Sequence, residues 1–136
     1  MLTAPNGAIR IPLNVAPPIL AERGGDGPTV LPQHAAFRCT DVRALARAAR
    51  TRGFRPLEMP DNYYDDIAAR FDLAEDFVDE LRDLHLGYDR EAAGEYLHFY
   101  TRTIGEVFME FVERIGDYAG FAAGTAPVRL TAQRGR

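Results

Sequence analysis

The run from Glu106 to Arg114 constrains this chain more than any other stretch, because it has the composition of a strand interior with a carboxylate at its centre. On an extended backbone, successive side chains point to opposite faces. Glu110 therefore shares a face with Phe108 and Val112, while Val107, Met109 and Phe111 take the other. Both faces are largely apolar, and a carboxylate in such surroundings is costly unless it is paired, hydrogen-bonded or bound to a cation. Two readings stand: an edge strand whose Glu110 reaches water, or a buried strand whose Glu110 has a dedicated partner.

The setting for that strand is an ordinary globular composition. With 136 residues, 46% hydrophobic and 26% charged, the chain suffices for one domain. A formal net charge of -4 argues against a nucleic-acid partner held by phosphate neutralisation. The lone Cys39 allows no intrachain disulfide and fits a reducing compartment. No run reaches the roughly 18 consecutive apolar residues of a membrane span, and the N-terminus lacks a signal peptide's basic start and apolar run. The expectation is a cytoplasmic protein with neither a membrane nor a nucleic-acid partner.

Met1 to Gly7 reads as a disordered start and Ala8 to Asn14 as a strand, confined by Pro12 to an edge or a ligand-facing position. Val15 to Pro32, rich in Pro and Gly, reads as a linker. Gln33 to Arg38 is a short strand, and Thr40 or Asp41 caps a helix from Val42 to Arg52. Val42, Leu45, Ala46 and Ala49 form its apolar face, and Gly53 closes it. Arg43, Arg47 and Arg50 point away and fit a solvated face better than a binding patch.

Phe54 to Leu57 is expected to return as a strand, followed by a helical segment from Pro60 to Phe71. Asp72 is expected to cap a helix from Ala74 to Leu84, with Phe77, Val78, Leu81 and Leu84 as its stripe and Gly87 as its end. The carboxylates of this region, Asp65 to Asp83, are spread around the helices and fit a solvated surface better than a metal site. Tyr88 to Glu91 and Gly94 to Thr101 read as two arms of a hairpin, and Gly105 turns the chain into the Glu110 strand. The fold class is α+β, a βαβββ unit with a helical insertion. Its divisions are residues 1–32, an N-terminal strand and linker; 33–116, the βαβββ module; and 117–136, a tail packing over a rim.

His34 lies on the first strand of the unit and Glu110 on the last, and a curled sheet can bring both to one face. Two histidines and a carboxylate leave open positions on Fe(II) for substrate and O₂. Of the other histidines, His85 sits near a helix end, where capping the last carbonyls is an ordinary role, and His98 has the parity of Tyr96 and Tyr100. Spacing alone makes the His34 and Glu110 pair a weak signal. No phosphate-cradling loop or nucleophile elbow is present, and Gly24 to Gly27 lacks the strand-then-helix context that such a loop needs. Cys39 and Arg38 point to opposite faces if extended, so an activated thiolate is not expected.

Five stretches resemble the C-terminal part of the 4-hydroxyphenylpyruvate dioxygenases, members of the vicinal oxygen chelate superfamily. They are Ile9 to Asn14, Gln33 to Asp41, Pro60 to Asp66, Tyr96 to Thr101 and Val107 to Arg114. The resemblance implies a half of a curled-sheet cup in which His34 and Glu110 are iron ligands and Pro12, Asn14, His98, Tyr100 and Phe108 line the substrate cavity. The family usually has glutamine where this chain has His98, which puts aromatic keto-acid specificity in question. Gly120 to Gln133 resembles the tail of the dioxygenase-like domain fused to bacterial 3-dehydroshikimate dehydratases, whose dehydratase chemistry is assigned to an N-terminal barrel domain.

In the family the cup is built from two such modules, with a third ligand on the preceding one. The leading expectation is a fragment or C-terminal part of a non-haem Fe(II) dioxygenase-like protein, with Fe(II) or another divalent metal as cofactor and a small 2-oxo acid as substrate. Its partner is then a second copy or a missing N-terminal module. One alternative is a homodimeric glyoxalase-type enzyme with a two-His, two-Glu site. Another is a non-catalytic binding or assembly half-domain. A lone half-cup is expected to expose an apolar concave face and so to associate or to be poorly stable.

Overall fold

A computed structural model describes residues 2–11, 33–92, 94–105, 107–125, 127–129 and 132. The chain falls into two compact units, 1–31 and 32–136. In the first, β1 (Leu2–Thr3) pairs antiparallel with β2 (Arg10–Ile11). The start of the chain is therefore paired, where the sequence led us to expect disorder. The expected strand from Ala8 is present only as Arg10 and Ile11, and its continuation through Pro12 to Asn14, with the linker to Pro32, lies outside the described residues.

The second unit holds β3 (Gln33–Arg38), α1 (Val42–Thr51), α2 (Asp61–Phe71), α3 (Glu75–Leu84), β4 (Gly87–Glu91), β5 (Gly94–Tyr100) and β6 (Val107–Gly116). Its four-stranded sheet has the order β3-β6-β5-β4, with β3 parallel to β6 and the other pairs antiparallel. This is the expected mixed α+β unit.

Helix α1 begins where the sequence signals it. Asp41 is the N-cap, its side chain accepting from the Ala44 N–H at 2.8 Å, and Glu113 Oε2 of β6 accepts from Val42 N at 2.9 Å. Two donors that the first turn leaves unpaired are thereby satisfied, a contribution of about 1 kcal/mol for the Asp41 cap. Gly53 at φ 82° follows Arg52, the C-cap, as expected. The arginine face of α1 is largely solvated, as expected, but it also reaches α3: Arg43 and Arg47 meet Glu80, and Arg50 meets Asp83. Exposed pairs of this kind contribute little.

Three expectations fail locally. Phe54 to Leu57 forms no strand, only an isolated bridge between Pro56 and Thr101, because proline has no N–H to continue a ladder. Asp72 does not cap α3; it closes α2 in the left-handed conformation at φ 50°, and Ala74 is the α3 N-cap with no side-chain bond. His85 at φ 54° ends α3, leaving Gly87 free to open β4.

One face of the sheet carries the helices. Leu97 and Phe99 of β5 and Tyr88 of β4 pack there with Val42, Tyr64, Ile67, Leu81 and Leu84. The other face carries Tyr96, His98, Tyr100, Phe108, Glu110 and Val112, all buried. Tyr118 and Ala122 pack on Tyr96 and Val112, while Leu57 and Ala132 join Tyr100 and Phe108. The C-terminal stretch thus covers these residues, so this part of the face is not the exposed apolar surface the sequence led us to expect. That stretch is also more ordered than a plain tail, with a 3-10 turn at Ala123–Thr125 and helical residues 127–129. Large apolar side chains are exposed elsewhere, at the β3–β6 border: Phe37, Val107 and Met109.

Candidate metal centre

The register of the sheet sets the site. β3 and β6 run parallel, with His34 opposite Phe108 and Ala36 opposite Glu110, so the His34 imidazole and the Glu110 carboxylate reach the same face two residues apart along the ladder. His34 Nε2 lies 3.3 Å from Glu110 Oε2, and the His34 ring stacks on Phe108 with centroids 4.9 Å apart. On β5, Tyr100 is paired with Glu110 and His98 with Val112. The Tyr96 hydroxyl donates to Glu110 Oε1 at 3.1 Å, and His98 Nδ1 lies 3.9 Å from that oxygen.

Glu110 is therefore the buried carboxylate with dedicated partners, and the edge-strand reading fails: β6 is an interior strand. Burial alone pushes its pKa up, but the hydrogen bond with His34, the charges of His98 and His34 and the Tyr96 hydroxyl outweigh it and hold the carboxyl below its ordinary value. His98 is wholly buried and its imidazole is pushed down, chiefly by burial and against the pull of Glu110 and Asp89. The neutral form is favoured, as a metal ligand requires. Burial and the Glu110 charge push Tyr96 and Tyr100 up, so both keep their hydroxyl protons.

Of the residues singled out from the sequence, His34, His98, Tyr100, Phe108 and Glu110 are brought together, whereas Pro12 and Asn14 lie outside the described residues. Three contributors were not singled out. Tyr96 holds Glu110, and its parity with His98 on β5 was the available signal. Gly87 faces His98, and Arg129 lies over the rings of Phe108 (4.7 Å) and Tyr100 (5.7 Å); neither position carried a sequence signal. Cys39 donates to the Val112 carbonyl, and burial followed by the Glu113 charge pushes its thiol up, so it is not an activated thiolate. A cavity of about 310 Å³ lined by Tyr63, Asp66, Arg70 and Asp89 lies against α2 and includes neither His34 nor Glu110.

The donor set suits a divalent transition metal: one imidazole nitrogen, one carboxylate, and a second imidazole whose two nitrogens are buried without a hydrogen-bond partner. With metal–ligand bonds of about 2.1 Å, two donors stand about 3.0 Å apart when cis and about 4.2 Å apart when trans. The 3.3 Å and 3.9 Å separations fall inside that span. Among the described residues, no three His, Cys, Asp or Glu side chains are already gathered as a ligand set. His34 and Glu110 are in place, and the longer separation belongs to His98.

Comparison with known proteins agrees with this architecture. No protein-family model matches. The chain is 39% identical over 138 residues to a 3-dehydroshikimate dehydratase of Pseudomonas aeruginosa, covering 95% of this chain and 21% of that protein. It is 32% identical to a 4-hydroxyphenylpyruvate dioxygenase of the same organism, covering 90% of this chain and 36% of the relative. A solved fusion of a xylose isomerase-like TIM barrel with a 4-hydroxyphenylpyruvate dioxygenase superposes with a TM-score of 0.73 at 42% identity, over 76% of this chain and 17% of the fusion. The fold is of the vicinal oxygen chelate class. Within that class the chain is a 4-hydroxyphenylpyruvate dioxygenase-like region, homologous to both sets of relatives. It spans about a fifth of the dehydratase and about a third of the dioxygenase.

Proposed function

We propose that this chain supplies the metal-binding half of a dioxygenase-like cup, with His34 and Glu110 as ligands to Fe(II) or a similar divalent ion. The observation that carries the reading is the 3.3 Å approach of His34 Nε2 to a Glu110 carboxylate that is otherwise buried among aromatic rings. Bound Fe(II) would supply the chemistry of the family, holding a 2-oxo acid and O₂ together. The protein's own residues do the rest. Tyr96 fixes Oε1 of Glu110, and Phe108 stacks on His34 and sets its ring plane. His34, whose side chain keeps 28% of its surface exposed, is the side from which an ion enters.

Among the described residues β3 is an edge strand with Ala35, Ala36 and Phe37 all exposed, which supports a further module or a second copy completing the cup. The test is metal titration of the purified chain with Fe(II), Mn(II) and Zn(II). One ion per chain is expected, lost in both His34→Ala and Glu110→Ala; a wild-type chain that takes up none refutes the reading. Oxygen uptake with an aromatic 2-oxo acid tests the substrate class separately.

A further inference from the structure

We propose that His98 is a third protein ligand, so that one chain carries a two-histidine, one-carboxylate metal set of its own. The inference rests on the reading of His34 and Glu110 as metal ligands and extends it to a residue where the family resemblance implied only a cavity wall.

Three observations carry it. First, both nitrogens of His98 are buried and unpartnered in a ring that is wholly inaccessible. Buried polar groups left unsatisfied are costly, and each one that a core retains calls for an account such as a bound ion or water. Second, the ring is aimed. Nε2 nests against Gly87, where even a Cβ would stand 2.2 Å away, which turns Nδ1 toward Glu110. Tyr96 and Tyr100 flank the imidazole with centroids 5.0 and 4.9 Å away, so the ring is held between two aromatic neighbours. Third, Nδ1 stands 3.9 Å from Glu110 Oε1, inside the span expected for two ligands of one ion, and too far for a hydrogen bond. An ion held by His34, Glu110 and His98 would give the His98 imidazole the partner it lacks.

Alternative partners fit less well. A direct hydrogen bond from His98 to Glu110 is excluded by the 3.9 Å distance. The imidazole is a good ligand for Fe, Co, Ni, Cu and Zn, whereas the glutamine usual in the family is a weak one, so the substitution changes what the position can bind.

The test is Co(II) titration of the full chain, followed by proton NMR of the loaded protein. Each cobalt-bound imidazole gives one exchangeable, hyperfine-shifted N–H resonance. Two are expected in the wild type, one in His98→Gln and one in His34→Gln, with His85→Gln leaving both. Co(II) affinity is expected to fall at least about 10-fold in His98→Gln. The wild-type count decides the matter even if a variant fails to fold. One ion bound with a single resonance overturns the role of His98 while sparing that of His34 and Glu110; no ion bound overturns both.

Discussion

Gly87 stands opposite His98 in the ladder between β4 and β5, and a Cβ at position 87 would lie 2.2 Å from Nε2 of the imidazole. The ring has no space to retreat into, being flanked by Tyr96 and Tyr100. Gly87→Ala is therefore expected to destabilise the protein by about 1–3 kcal/mol, the usual cost of overpacking a closed site. Urea denaturation measures it; an unchanged midpoint would mean that the ring is not held as described.

Tyr96→Phe isolates one hydroxyl. The ring would keep its stacking on Tyr118 at 5.1 Å and its place beneath the Arg114 guanidinium at 4.7 Å, and lose only the 3.1 Å bond to Glu110 Oε1. A bond to a buried carboxylate contributes about 1.5–3 kcal/mol, so the metal-free variant is expected to lose that much. Because Tyr96 orients a proposed ligand, metal affinity is expected to fall about 10- to 100-fold as well. Calorimetric titration reads the second effect, and a variant that loses stability but not affinity would separate Glu110 from the metal.

Acid should destabilise the metal-free protein over two successive pH ranges. His98 has a folded pKa below the unfolded value of about 6.5, so the unfolded chain takes up its proton first. Its contribution is complete above that value and is lost as pH falls toward the folded one, at up to about 1.4 kcal/mol per pH unit. Burial dominates; Glu110 and Asp89 oppose it and Arg129 and His34 reinforce it. Glu110, also lowered, contributes stability above about pH 4.3 that disappears as pH falls through its folded pKa. Urea midpoints at pH 7, 6 and 5 should decline in the wild type and much less in His98→Gln. Equal declines in the two proteins would contradict the assignment.

How much of this was legible in the sequence follows from the range of each signal. Strand parity put Glu110 with Phe108 and Val112, and His98 with Tyr96 and Tyr100, because alternation is a property of the backbone. The α1 stripe and a cap at Thr40 or Asp41 were legible from local pattern too, and the structure uses Asp41. The parallel register that sets His34 beside Glu110 spans most of the module, and nothing local encodes it; the family resemblance supplied that pairing. Asp72 misled because aspartate serves equally as an N-cap and as a left-handed residue closing the previous helix. Gly87 was read as a helix end, although what requires glycine there is a ring on the neighbouring strand. The cover over Tyr96 and Val112 was hidden in a Gly- and Ala-rich stretch whose carbonyls at Tyr118 and Gly120 accept from Arg114.

Arg114 is the clamp on that cover. One of its guanidinium nitrogens donates to the carbonyls of Gly120 at 2.6 Å and Tyr118 at 3.3 Å, and the group lies over the rings of Tyr96, Tyr118 and Phe121. A planar, fixed fork can hold two carbonyls while stacking on aromatic faces, which a lysine cannot reproduce. Arg114→Met keeps much of the apolar stem and removes the donors, so the loss should be local: faster hydrogen exchange in residues 118–125, with Leu97 and Phe99 on the helix side still protected. Tyr96 and Val112 would then be opened to solvent, and a dye that binds apolar surface should report it. Unchanged exchange in residues 118–125 would mean that the packing of Tyr118 and Ala122 on the sheet holds the cover without Arg114.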